Sequence, residues 1–150
     1  MTILESVGPG ATGATAPSGP GASGSDAFLA DLTAVTSPNY TDYSDTVGGR
    51  TIIKTVGLDS GNEAVYTIPS SAKNFVASVG ISDGNNGATD ATGVFSVFGN
   101  TTQLGQVSLK IGQLAILSVS VKGYKVLRIA YSVAASDFLG KGDFGLARFT

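Results

Sequence analysis

The chain has 150 residues, 42% hydrophobic and 13% charged, with a formal net charge of -2, 21 glycines, and neither cysteine nor histidine. That balance suits one folded domain with a core of its own. It excludes disulfides, thiolate zinc sites, Ser-His-Asp triads and Cys-His nucleophiles, and it supplies no basic stripe for nucleic acid.

The first residues, Met1-Thr2-Ile3-Leu4-Glu5-Ser6, lack the basic start and long apolar run of a secretory signal. No later stretch reaches membrane-spanning length, so the expectation is a soluble protein made without an export signal. Residues 8–24, GPGATGATAPSGPGASG, begin collagen-like triplets at Gly10 and Gly13 that falter at Ala16. The triplets are too few for a triple helix, and residues 1–24 are read as an extended low-complexity arm. Such a segment buries too little apolar surface to order itself, so it needs a neighbouring surface to lie on. Glu5, Asp26, Asp31, Asp42 and Asp45 all precede the first basic residue, Arg50, which favours a basic surface.

Residues 25–49 are expected to hold a short helix and a loop. Ser25-Asp26 can cap a helix that sets Phe28, Leu29, Leu32 and Val35 on one face. That face would plug the base of the domain or a neighbour. With Ile3 and Leu4, the residues Phe28, Leu29 and Leu32 are the candidate anchors of an assembly arm. Residues 36–49, TSPNYTDYSDTVGG, are read as polar loop.

Strand patterns fill residues 50–150. They cover 50–56, 63–68, 74–82, 93–98, 106–111, 115–121, 126–133 and 144–149, separated by the turn segments DSGN, DGNNG, GNTT and KGYK. About eight short strands with period-two alternation and many glycines predict an all-β fold, a single jelly-roll-like β-sandwich.

Three stretches carry a family resemblance. They are EAVYTIPSSAKNFVASVGISD at 63–83, GVFSVFG at 93–99, and VSVKGYKVLRIAYSV at 119–133 with KGDFGLARF at 141–149. In this order they resemble the NPCBM family, the "novel putative carbohydrate-binding module" sandwiches appended to glycosidases, over about two-thirds of the chain. The resemblance implies a sandwich that recognises glycans. This chain departs from the family where Phe144 stands in place of a Trp, where Gly57-Leu58-Asp59-Ser60 replaces a His-bearing loop, and in having no Trp at all.

Sugar sites use aromatic rings against the apolar face of a pyranose, so tyrosine must serve here. Tyr66 and Tyr131 fall in alternating patterns that mark buried faces. That leaves Tyr124, in the KGYK turn, and Tyr40 and Tyr43, in the polar segment, as contact residues at a loop end. Asp83 and Asp90, with Gly84, Asn85 and Asn86, gather oxygen ligands of the kind Ca²⁺ takes, although the spacing is not an EF-hand and also suits a plain turn. No other cofactor is expected. Asp137 and Asp143 in a Gly-rich loop give no spatial constraint, so no hydrolase is expected.

Two functions follow. The first is a non-enzymatic accessory of a larger particle, a phage capsid decoration or fibre protein at the virion surface. Its partners are a capsid or other assembly protein, held through the arm, and host glycans, with a homo-oligomer also expected. The second is a free-standing extracellular carbohydrate-binding module. Neither has nucleic acid or membrane as a partner.

Overall fold

The computed structural model describes residues 2–7, 26–84, 92–133 and 140–150. The strands are β1 (Thr2–Val7), β2 (Ala27–Phe28), β3 (Tyr40–Val47), β4 (Arg50–Leu58), β5 (Asn62–Thr67), β6 (Asn74–Ile81), β7 (Thr92–Gly99), β8 (Thr102–Lys110), β9 (Leu114–Ser120), β10 (Val126–Val133) and β11 (Gly142–Phe149). The only helical segment among the described residues is a 3-10 turn, Leu29–Asp31.

All pairings are antiparallel and form two sheets. Sheet A runs β1-β9-β6-β11-β4-β3, with β2 also paired to β11, and sheet B runs β5-β10-β7-β8. All eight expected strands are present, and the all-β sandwich expected from the alternation is the fold observed. Alternate positions face the core: Phe75, Ala77, Val79 and Ile81 from β6 meet Phe95 and Val97 from β7 and Leu127, Ile129 and Tyr131 from β10. Tyr66 and Tyr131 are each 1% exposed, as their alternating patterns require.

Three local expectations are corrected. The helix expected from residue 25 is a short strand and a single 3-10 turn. Leu29 is fully buried in the core and Val35 is 68% exposed, so these residues do not share one helical face. Phe28 and Leu32 also pack within the chain, Phe28 paired with Arg148 of β11 and Leu32 against the core. Residues 40–47 are a strand and not a loop. Finally, residues 2–7 pair with β9 of the same chain, Thr2 opposite Ser118 and Val7 opposite Leu114, which places Ile3 and Leu4 in an intramolecular edge strand.

The β3–β4 hairpin shapes the site. Its turn, Gly48-Gly49, has φ of 59° and 78°, the doubly left-handed pair that a two-residue hairpin needs. Asp42 and Lys54 also sit at positive φ, 52° and 50°, around register shifts in the β3–β4 pairing. Such bulges bend a strand pair. The bent hairpin folds over the outer face of sheet A, where Val47, Ile52 and Leu114 form a second small core. A side chain at Gly80 would strike Val47, and one at Gly145 would strike Ile52. Covered by the main core on one face and the hairpin on the other, β11 is buried along its whole length.

Candidate functional site

The tyrosines singled out in the sequence lie at opposite ends of the sandwich. Tyr124 follows the turn after β9, next to Val126, which pairs with Thr67. Tyr40 reaches the β4–β5 turn, where Asn62 pairs with Tyr131 at the other end of β5 and β10. Tyr124 does not project. Its ring lies against Gly99 so closely that a Cβ there would strike it, and it packs on the edge of the core.

At the other end the side chains converge. Asn39 Oδ1 accepts the Asp59 N–H at 2.9 Å and the Asn62 Nδ2–H at 2.9 Å, fixing the β4–β5 turn against the start of β3. The Tyr40 hydroxyl donates to Asp59 Oδ1 at 3.1 Å, and that bond, followed by the carboxylate's charge, raises the phenol pKa. Beside this network lies an open hollow of about 380 Å³ lined by Thr36, Ser37, Asn39, Gly61, Asn62 and Glu63. Glu63 also faces Arg128, whose Nε lies 3.3 Å from Oε2. The large hydrophobic side chains exposed among the described residues are Val35, Tyr40 and Val126. Val35 and Tyr40 bracket the 36–39 segment of the hollow. The sequence missed this wall because Thr36, Ser37, Asn39 and Asn62 carry no pattern beyond ordinary loop polarity.

Tyr40 belongs to a ledge with Tyr43 and Lys141. The two rings meet edge to face with centroids 6.2 Å apart. Lys141 Nζ sits 4.7 Å from the Tyr40 centroid and 4.5 Å from the Tyr43 centroid, which adds a cation–π contact to each ring. The Tyr43 ring passes over Gly57, where any Cβ would strike its hydroxyl, and that hydroxyl donates to Asp143 Oδ1. Tyr43 is therefore a support of the ledge, and Tyr40 is its exposed member. Burial, then the charge of Asp143, drives the Tyr43 phenol pKa upward.

Asp143, expected in a Gly-rich loop, stands instead on β11 and is fully buried beneath Tyr43. Burial and the hydrogen-bonded Asp45 push its carboxyl up to about 9, against the pull of Tyr43 and Lys141. Burial also works against charge on Asp45, but bonds from Asp143, the Thr46 N–H and Ser82, together with Lys141, hold its pKa below the ordinary value. Asp137 lies outside the described residues.

The calcium expectation falls on Asp83 and Asp90. Asp83 accepts the Gly48 N–H at Oδ1 and the Gly49 N–H at Oδ2, each at 2.8 Å, and so caps the hairpin turn. Asp90, Asn85 and Asn86 lie outside the described residues. Among the described residues no three His, Cys, Asp or Glu side chains gather as metal ligands.

No protein-family model and no curated protein sequence matches the chain. Solved structures do. The CBM51-2 and INT domains of ZmpB from Clostridium perfringens superpose with a TM-score of 0.66 at 20% identity, over 83% of this chain and 31% of that one. The CBM51 module of a GH95 protein from Clostridium perfringens, in complex with methyl-galactose, gives 0.66 at 19% identity over 83% of this chain and 99% of that one. The tandem CBM51 modules of a family 98 glycoside hydrolase from Streptococcus pneumoniae give 0.70 at 16% identity, over 83% and 46%. This chain thus spans about a third of the first structure and nearly all of the single module. The fold is that of a CBM51 carbohydrate-binding module.

Proposed function

We propose that this chain is a non-catalytic carbohydrate-binding module whose sugar site is the hollow beside Tyr40. The observation that carries the reading is the hollow itself, lined by hydroxyls, amides and a carboxylate, beside the Asn39–Asp59 network that the exposed Tyr40 joins. A pyranose is matched to such a surface, because its C–H face packs on a ring while its hydroxyls both donate and accept. The volume falls within the range of about 300–1,000 Å³ usual for small-ligand sites.

The fold likeness supports this reading, whereas no family model backs the NPCBM resemblance of the sequence. One of the similar modules is in complex with GlcNAc and another with methyl-galactose, so neutral monosaccharides are the first probes for this chain. An extracellular place and host or polysaccharide glycans as partners belong to the same reading.

The particle accessory loses its proposed anchors. Leu29 is in the core, Leu32 packs against it, and residues 2–7 pair with β9. A capsid partner, a virion location and a homo-oligomer have no observation behind them. Calcium at Asp83 would have to share oxygens that already accept the Gly48 and Gly49 N–H groups of the hairpin turn.

The test is a glycan array probed with the full chain and with Tyr40→Ala. Binding to neutral glycans that is lost in the variant supports the site, and equal binding by both chains removes it.

A further inference from the structure

Beneath the ledge, two carboxyl groups meet where two negative charges cannot both be held. Asp143 stands on the outer face of β11, directly between Gly57 of β4 and Gly80 of β6, with no side chain from either neighbour to shield it. Its Oδ1 accepts the Tyr43 hydroxyl. Among the described residues, neither its buried Oδ2 nor Asp45 Oδ2, which faces Lys141 Nζ at 3.7 Å, accepts a hydrogen bond. The two carboxyls are hydrogen-bonding neighbours. Two carboxylates only accept, so neither can satisfy the other, whereas one proton turns the pair into a donor and an acceptor.

The surroundings decide which group keeps that proton. Asp45 accepts the Thr46 N–H at 2.8 Å, faces Lys141 Nζ at 3.7 Å and is hydrogen-bonded by Ser82, all of which favour its charge. Asp143 is faced by Tyr43 and Asp45 from β3, by Lys141 from the approach to β11, and by Tyr131 from β10. Of these only Lys141 is a cation, and it lies against Asp45.

We infer that Asp143 is the positioning residue of the tyrosine ledge: it keeps its own proton, donates it to Asp45, accepts the Tyr43 hydroxyl, and so clasps the β3–β4 hairpin onto sheet A. The clasp seats Tyr43, against which Tyr40 packs, and holds Asp45 under Lys141. It rests on the glycan reading only for what the ledge serves, because the buried carboxyl pair and the Tyr43 bond are present without any sugar.

The experiment follows the carboxyl carbons of the full chain, labelled with ¹³C-aspartate, from pH 3 to 8. Asp143 is expected to show no ionisation step across this range, while Asp45 ionises below the ordinary aspartate range. The second arm is Asp143→Asn, whose amide can donate to Asp45 and accept from Tyr43. It should keep the Tyr40 and Tyr43 ring resonances in place, whereas Asp143→Ala should shift them. Wild type should gain up to tenfold in its unfolding constant per pH unit above about pH 4, and Asp143→Asn should lack that gain. An Asp143 step near pH 4, or ring shifts in Asp143→Asn as large as in Asp143→Ala, overturns the inference. If Asp143→Ala does not fold, the carbon titration decides alone. A blank glycan array leaves this titration untouched, so the two readings fail separately.

Discussion

The Tyr43 hydroxyl donates to Asp143, 100 residues further along the chain, and this bond ties the edge hairpin to the central strand of sheet A. The contact exists because β4 carries Gly57 under the ring and because bulges at Asp42 and Lys54 turn the hairpin over the sheet. Aromatic surface, buried acid and bent edge strand thus act as one unit at the loop end that holds the hollow.

Removing the donor should expose how much this unit depends on it. Tyr43→Phe keeps the ring but leaves a buried carboxyl oxygen without its partner, so urea unfolding should report a loss of about 1–3 kcal/mol. Gly57→Ala should show a loss of the same sign, because its methyl occupies the position of the Tyr43 hydroxyl. Wild-type stability in both variants would mean that the hairpin is held elsewhere.

Stability should fall as pH rises from about 4 toward 9. Asp143 has a folded pKa raised to about 9, so over that window the folded chain holds a proton that the unfolded chain has released. The stabilisation is full below the unfolded aspartate value of about 3.9 and is lost progressively until the folded value is passed, by at most about 1.4 kcal/mol per pH unit. Asp45, with its lowered pKa, acts in the opposite sense and only at more acid pH. Together they place the stability maximum of this pair near pH 4. Urea midpoints at pH 4.5, 6 and 7.5 check it, with Asp143→Asn as the flat reference.

Much of the sandwich was legible because a half-buried strand alternates with period two, as Leu127, Ile129 and Tyr131 do against Arg128, Ala130 and Ser132. Strand β3 was not, because its apolar positions Tyr40, Tyr43 and Val47 are put out of step by the bulges around Asp42. The spacing of Phe28, Leu29 and Leu32 suggested a helix, yet tertiary packing took Leu29 into the core and paired Phe28 with β11. At the site, Tyr40 was legible as an aromatic in a polar segment. The role of Asp143 was not, since its partner is Asp45 on β3, about a hundred residues earlier in the chain, and no local spacing links the two.

The two ends of the sandwich should respond differently to loss of an aromatic. Tyr124→Ala should lower stability by about 1 kcal/mol, because the ring lies against Gly99 and packs on the edge of the core, and should leave glycan binding intact. Tyr40→Ala should leave the fold in place and abolish the weak affinity of a single sugar site. Thermal melts and the glycan array together separate these outcomes.

Asp83 should prove to be a cap. Asp83→Ala frees the Gly48 and Gly49 N–H groups and should destabilise the chain by about 1–3 kcal/mol, while calcium or a chelator leaves the wild-type melting temperature unchanged. A melting temperature that climbs with calcium would instead mark a cation site at this loop.

The most direct measurement is a map of amide resonance shifts on the full chain, titrated with GlcNAc, with methyl-galactose and with any glycan that the array retains. The predicted result is a set of shifts confined to Thr36, Ser37, Asn39, Tyr40, Asn62 and Glu63, growing to saturation with added sugar. Shifts centred on Tyr124 and Asn100 at the opposite end, or no shift with any glycan, would contradict the assignment of a sugar site to this hollow.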